Sequence, residues 1–311
     1  MTESETTPTP PVPPSTRCGI LAIIGAANAG KSSLINRILG EKVSIVSPIA
    51  QTTRNLVRSF HTEARGQLVF LDTPGVHRAK NELGLAMNRM ARAAAKDADA
   101  AMYVFDSDRP PQEEDDGWMR RLSAEAFPLI FVANKCDLGA NRLADYRKLW
   151  DAIRTEKQSS ANPVWVRVSA FNGEGLPELL DALFAAVPPG PLLFPEEMLS
   201  DYPRKLAIAD FIREKFFAVL HDEIPHDLAV HVDELEDTPE GLRVHAIVYL
   251  RHPSQKPIVI GAKGRILRRV RERSAKEMEE VYEKPVKVEL FIKVDKTWQK
   301  NFWIMRQLGY Q

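Results

Sequence analysis

The sequence predicts an α/β domain, a mostly parallel sheet with helices on both faces, followed by a smaller α+β domain. Three observations predict it. Gly25-Ala26-Ala27-Asn28-Ala29-Gly30-Lys31-Ser32 fits the phosphate-binding pattern G-x-x-x-x-G-K-[ST], set between an apolar run and a helical one. As far as residue 187, apolar runs alternate with helical stretches such as Leu83 to Lys96 and Leu176 to Ala186. Beyond a proline-rich stretch from Pro188 to Pro203 the order changes, and a glycine turn at Gly261 and Gly264 opens a long basic helix.

Residues 1–17 hold Pro8, Pro10, Pro11, Pro13 and Pro14 among Thr and Ser, a composition that buries too little apolar surface to order itself. The expected division is a tail at 1–17, a nucleotide domain at 18–190, a linker at 191–204 and a second domain at 205–311 with a C-terminal helix. A chain of 311 residues accommodates two such cores. Its two cysteines, Cys18 and Cys136, read as free thiols in a reducing compartment. No segment approaches the roughly 18 apolar residues of a membrane span. The N-terminus is acidic and polar, without the apolar core of a signal peptide, so the expected location is the cytoplasm.

Within the first domain, Ile20 to Ile24 reads as a buried strand, and Ser33 to Leu39 reads as the following helix, with Leu34, Ile35, Ile38 and Leu39 at helical spacing. The loop between them turns its N–H groups inward on phosphates, at the positive end of the helix. The expected nucleotide contacts here are Gly25 to Ser33, with Lys31 on the outer phosphates and the Ser32 hydroxyl on Mg²⁺. Asp72-Thr73-Pro74-Gly75 ends the strand Leu68 to Leu71. Asp72 is placed to hold the Mg²⁺ shell, and the Gly75 N–H to sense the γ-phosphate. In the polar stretch Ser47 to Arg54, one threonine hydroxyl completes the Mg²⁺ shell, and Thr53 is favoured over Thr52. The expected metal set is Ser32, Thr53 and Asp72.

Asn134-Lys135-Cys136-Asp137 ends the strand Leu129 to Ala133, about 100 residues after Lys31. A buried carboxylate at Asp137 accepts from guanine N1–H and its exocyclic amine, which adenine cannot offer; the mismatch is worth ~10⁴-fold or more. Asn134 contacts N7 and ties loops together, and the Lys135 stem covers the ring. Ser169 and Ala170, after the strand Val164 to Arg167, are small enough for backbone N–H groups to approach the guanine O6.

In the second domain, Ala207 to Leu220 reads helical, Leu228 to Val232 and Arg243 to Leu250 as strands, Arg265 to Tyr282 as a helix and Val286 to Val294 as a strand. Gly261-Ala262-Lys263-Gly264 leaves room for a nucleic-acid backbone to lie against the turn, as in K-homology domains, which clamp four nucleotides there. From 263 to 276, Lys263, Arg265, Arg268, Arg269, Arg271, Arg273 and Lys276 face a single acid, Glu272, in a chain of zero net charge. The expected RNA contacts are Gly261, Ala262, Lys263, Gly264, Arg265, Arg268 and Arg269, with binding that weakens steeply in salt. His221, His226, His231 and His245 show no metal-ligand spacing. Trp298, Phe302 and Trp303 are expected to pack a terminal helix rather than stack on bases.

The ordered set of motifs resembles the translation-factor-type GTPase family named Era, with Gln51-Thr52-Thr53-Arg54 close to its first switch. Ile212 to Lys215 and Glu223 to His226 resemble the family's entry into its K-homology domain, so the likeness spans 18–310. One departure is Ala26-Ala27, where the family has Arg-Pro or a similar pair. A second weakness is catalytic: Val76 stands where Ras-like enzymes orient water with glutamine, so hydrolysis should be slow. The resemblance implies that Asn28 holds a K⁺ ion in place of an arginine finger, giving a catalytic set of Lys31, Thr53, Gly75 and Asn28. It also implies GTP and GDP as ligands and the 16S rRNA 3′ end and 30S subunit as partners of a monomer. Two other readings stay open: a GTPase driving tRNA modification, and one acting peripherally at the inner membrane surface through its basic helix.

Overall fold

In a computed structural model, which describes residues 16–47, 52–74, 82–96 and 98–310, the first domain alternates strand and helix. Its elements are β1 (Arg17–Ile24), α1 (Lys31–Leu39), β2 (Val57–Glu63), β3 (Gly66–Asp72), α2 (Glu82–Lys96), β4 (Ala100–Asp106), α3 (Glu113–Leu122), β5 (Leu129–Asn134), α4 (Leu143–Lys157), β6 (Val164–Arg167) and α5 (Leu176–Ala186). The sheet order is β2-β3-β1-β4-β5-β6, parallel except where β2 runs against β3. Every residue of β4 and β5 is buried, as strands covered on both faces require. Leu34 and Ile35 of α1 and Leu179 and Leu183 of α5 pack one face; Trp118 and Met119 of α3 and Tyr146 and Trp150 of α4 pack the other. The phosphate loop, Asp72 and Asn134 thus share the carboxyl edge of the sheet, where such folds bind ligands.

The second domain follows as α6 (Arg204–Phe217), α7 (Ile224–Asp227), β7 (Ala229–Thr238), β8 (Gly241–Leu250), α8 (Gln255–Ile260), α9 (Arg265–Tyr282), β9 (Val286–Val294) and α10 (Phe302–Gln307). Its sheet runs β7-β8-β9, with β8 and β9 parallel. Ile208, Ile212 and Phe216 of α6 and Val270 and Met278 of α9 bury against Val244, Ala246 and Val248 of β8. α8 is an addition to the helix-strand-strand-helix-strand order read from sequence. Pro257 lies in the first turn of α8, where a missing N–H costs nothing.

Packing corrects one expectation and adds detail to another. Trp298 is fully buried and donates its indole N–H to the Asp227 carbonyl at 3.0 Å, but Phe302 and Trp303 are 64% and 68% exposed. The Asn301 side chain caps α10 and sets its phase, so Ile304, Met305 and Leu308 take the inner face instead. The stretch expected as a linker is held against the first sheet. The Gln67 amide bonds the backbone of Leu193 and Phe194, and the Phe194 ring stacks on Phe60 at 4.1 Å.

The domains also interlock. Ile45 of the first enters the core of the second, and Lys42 pairs with Glu214 of α6 and Glu277 of α9 at 2.6 and 2.5 Å.

Candidate nucleotide and nucleic-acid sites

The loop from β1 to α1 is shaped by two left-handed residues, Asn28 at φ 63° and Gly30 at φ 90°. A Cβ on Gly30 would lie 2.3 Å from Asn134 Nδ2, so glycine here lets Asn134 reach across. Asn134 Nδ2 donates to the Ala29 carbonyl at 2.9 Å, and its Oδ1 accepts from the Ala170 N–H at 3.1 Å. One side chain thereby joins the phosphate loop, the Asn134–Asp137 loop and the Ser169–Ala170 loop. Ala27, Asn28, Gly30, Lys31, Ser32, Ser33 and Thr53 line a single cleft. Lys31 is 7% exposed, its amine donating to the carbonyls of Gly25 and Ala26 at 3.0 and 2.9 Å. Burial pulls that amine down to about 8, against the charge of Asp72.

The three residues expected to hold the metal converge. Ser32 Oγ donates to Asp72 Oδ2 at 2.8 Å and lies 2.9 Å from Thr53 Oγ1. Asp72 is fully buried, and its Oδ1 has no hydrogen bond of good geometry. Burial raises its carboxyl, with Lys31 acting the other way. A hard cation fits this set: two hydroxyls and a buried carboxylate with a spare oxygen are oxygen donors on one point. Thr53 joins the set, whereas Thr52 contributes its carbonyl to Arg213 of α6. Thr73 directs its hydroxyl to the Ile23 carbonyl at 2.6 Å, bracing the loop rather than facing the cleft. Pro74 is buried beside it, and Gly75 and Val76 lie outside the described residues, as do 48–51.

The base side is a pocket lined by Gly30, Ser33, Asn134, Lys135, Asp137, Leu138, Ala170 and Phe171. Asp137 is exposed, contrary to the buried carboxylate expected from sequence. Its Oδ1 accepts from Ser169 Oγ at 2.5 Å, which fixes the carboxylate, while desolvation falls to the base and to exposed Leu138 and Phe171. Lys135, at φ 65°, gives its amine to Asp106 Oδ2 at 2.7 Å. Asp106 ends β4 and belongs to none of the motifs; its only signal in the sequence is an acid closing an apolar run.

In the second domain the turn follows α8. Gly261, Lys263 and Gly264 all have positive φ, and around a Cβ on Gly264 there is open space. Lys263, Arg265, Arg268, Arg269, Arg271, Arg273 and Lys276 are exposed, because Ile266, Leu267, Val270, Ser274 and Met278 take the inner face of α9. Turn and charge therefore form one open surface beside Ala262, which is also exposed. Among the described residues no group of three or more His, Cys, Asp or Glu could hold a metal ion.

Arg54 closes the Gln51–Arg54 stretch, which carries no expected role for its side chain. It is fully buried and donates to the carbonyls of Leu228, Pro225 and His226 at 2.8, 3.0 and 3.1 Å. Arg213, also buried, pairs with Asp210 at 2.9 Å and donates to the Tyr310 hydroxyl at 3.1 Å.

A P-loop domain with a guanine-type base loop, followed by a domain with an exposed glycine turn and basic helix, defines a GTPase joined to a nucleic-acid-binding module. Comparison with known proteins agrees. The family model of 50S ribosome-binding GTPases matches residues 20–135, and that of the KH domain matches 223–299. GTPase Era of Geotalea uraniireducens is 36% identical over 301 residues, covering 95% of this chain and 98% of that protein. GTPase Era of Mesorhizobium japonicum is 35% identical over 312 residues, covering 100% and 98%. Two solved structures are also similar, each at 32% identity and covering 95% of this chain and 99% of theirs. They are Era with MgGDPNP and nucleotides 1506–1542 of 16S ribosomal RNA, TM-score 0.87, and a tyrosine-to-alanine variant of Aquifex aeolicus Era with GDP·AlF4⁻, TM-score 0.85. The chain belongs to the Era family of GTPases.

Proposed function

We propose that this chain is a GTP-gated RNA-binding protein that assists assembly of the small ribosomal subunit by holding single-stranded 16S rRNA near its 3′ end. The observation that carries the gating is adjacency: Thr53 stands in the Ser32–Asp72 set, and the next residue, Arg54, is bonded into the second domain. A change at the outer phosphate that moves Thr53 pulls on α7 and the start of β7. The RNA partner is supported by the relative solved with nucleotides 1506–1542 and by the exposed turn and basic face of α9.

In the reaction, a water oxygen bonds to the γ-phosphorus, the bond to the β–γ bridging oxygen breaks, and the water proton leaves with phosphate. Mg²⁺, held by Ser32, Thr53 and Asp72, supplies charge neutralisation at the outer phosphates. The phosphate loop from Gly25 to Ser33 fixes the triphosphate by its N–H groups, Lys31 exchanges its carbonyl partners for phosphate oxygens, and Gly75 contacts the γ-phosphate. Asn134, Lys135, Asp137, Ser169 and Ala170 hold the guanine. Asn28 would hold K⁺, which would supply positive charge that Val76 does not. The protein acts as a cytoplasmic monomer divided at 18–190, 191–204 and 205–311, with peripheral contact to an acidic membrane as a secondary use of the basic face. No helix among the described residues is long and apolar enough to cross a membrane.

The test is affinity for an RNA matching the 16S rRNA 3′ end, with a non-hydrolysable GTP analogue against GDP, together with co-sedimentation on 30S and 50S particles. Tighter binding in the GTP form and selection of 30S are expected. Equal RNA affinity in both forms removes the gating, and selection of 50S removes the small-subunit role.

A further inference from the structure

The loop from β4 to α3 brings to the phosphate loop a cation that no motif includes. Arg109 lies in Asp106-Ser107-Asp108-Arg109, and Pro110-Pro111 stiffen the chain behind it. Its Nη2 donates to the Ala27 carbonyl at 3.5 Å, the outer limit of a hydrogen bond. Its Nε is buried without a hydrogen-bond partner and stands 4.0 Å from Asp106 Oδ2. That carboxylate is committed elsewhere: Oδ2 accepts the Lys135 amine at 2.7 Å, and Oδ1 accepts the Asp108 N–H at 3.0 Å. A guanidinium with five donors is therefore weakly engaged beside Ala27, a residue lining the phosphate cleft.

The reaction has use for such a charge beside that of K⁺. Negative charge spreads over the phosphoryl oxygens as the bond to the β–γ bridging oxygen breaks. Val76 offers no polar group at the water-orienting position. We propose that Arg109 is a further residue of GTP hydrolysis, its guanidinium turning from the Ala27 carbonyl onto the γ-phosphate to stabilise the transition state from within the same chain. The exchange is favourable because a charge-assisted bond to phosphate is roughly twice as strong as a bond to a neutral carbonyl. No bond to Arg109 forms or breaks, and it neither gains nor loses a proton.

The proposal is tested with Arg109→Ala and Arg109→Lys in the full chain. The measurements are turnover at saturating GTP in K⁺ and in Na⁺, and affinity for GDP with and without aluminium fluoride. We expect Arg109→Ala to lower kcat by at least about tenfold. GDP affinity should stay within about twofold, and the gain in affinity from aluminium fluoride should be lost. Arg109→Lys should not restore it, since an ammonium lacks the planar fork. Normal turnover of Arg109→Ala in K⁺ overturns the proposal, the ion then supplying the charge alone. A parallel loss of GDP affinity with kcat unchanged also overturns it, leaving Arg109 as a strut for Ala27. The K⁺ reading is separable: if Asn28→Ala leaves the preference for K⁺ over Na⁺ intact, that reading fails while Arg109 stands.

Discussion

Arg54 Nη1 donates to the Leu228 carbonyl at 2.8 Å across 174 positions of sequence, immediately after the threonine that meets Ser32 in the metal set. The same guanidinium holds the carbonyls of Pro225 and His226, so the end of α7 is fixed to the first domain by one buried side chain. Arg213 answers from α6 by donating to the Thr52 carbonyl, so both backbone and side chain of this segment are held.

Arg54→Ala removes a fully buried cation and its three bonds to the carbonyls of Leu228, Pro225 and His226. Hydrogen bonds to charged groups contribute about 1.5–3 kcal/mol each, and non-additivity reduces their sum, so a loss of about 2–4 kcal/mol is expected in denaturant unfolding. The more specific expectation is that RNA affinity no longer distinguishes the GTP analogue from GDP, while GTP still binds. A variant that keeps the full difference shows that gating runs elsewhere.

Asp137→Asn should weaken GTP by at least about tenfold and admit xanthosine triphosphate, whose second carbonyl matches the amide donor. Because Asp137 is exposed, the discrimination lost should be smaller than for a buried carboxylate. Competition between the two nucleotides reads it directly, and unchanged GTP affinity takes Asp137 out of the base site.

Turnover should be faster in K⁺ than in Na⁺ at equal ionic strength, and Asn28→Ala should abolish the difference. Phosphate release under the two salts measures it. Equal rates in the unmodified protein would leave Asn28 with a purely conformational part, at its φ of 63°.

Gly264→Asp adds bulk and negative charge where a Cβ meets nothing within 4 Å. The φ of 74° costs about 1 kcal/mol, tolerable for aspartate, so the domain should fold. RNA binding should fall at least tenfold, about 1.4 kcal/mol, with GTP binding untouched. Arg268→Ala or Arg269→Ala should weaken RNA evenly across sequences and flatten the salt dependence. Affinity measured against salt separates the two effects, and normal RNA binding by a folded Gly264→Asp protein would end the clamp.

Lys31 supplies a pH dependence of known sign. Its amine is held at about 8, against an ordinary 10.5, by burial first. Between those values the unfolded chain binds the extra proton, so this group lets nucleotide-free stability rise with pH from about 8 towards 10.5. Phosphates favour the charged amine, so GDP binding at pH 8.5 should take up a proton. Calorimetry in buffers of different ionisation enthalpy measures that uptake. Lys31→Met should lose it; uptake that survives assigns the proton to another group.

Much of the fold was legible because its signals are local. The boundaries of β6, α5, α9 and β9 fall where the periodicity and flanking turns place them, with Gly175 and Gly264 at the two helix starts. The phosphate loop was legible for the same reason: strand, glycines, lysine and helix are contiguous, and backbone geometry alone assembles them.

What only the tertiary structure decided concerns groups whose partners are remote in sequence. Arg54 lies in a stretch that reads as polar and loop-like, and only the carbonyls of the second domain make its burial tolerable. Phe302 and Trp303 read as core, and only the capping of α10 by Asn301 and the face given to Ile304 and Met305 turn them outward. Arg109 and Asp106 belong to no motif, yet the loop after β4 lays one against Ala27 and the other against Lys135. A local motif specifies its own backbone; burial and pairing of a long polar side chain depend on which distant donors and acceptors the packed domains bring within about 3 Å.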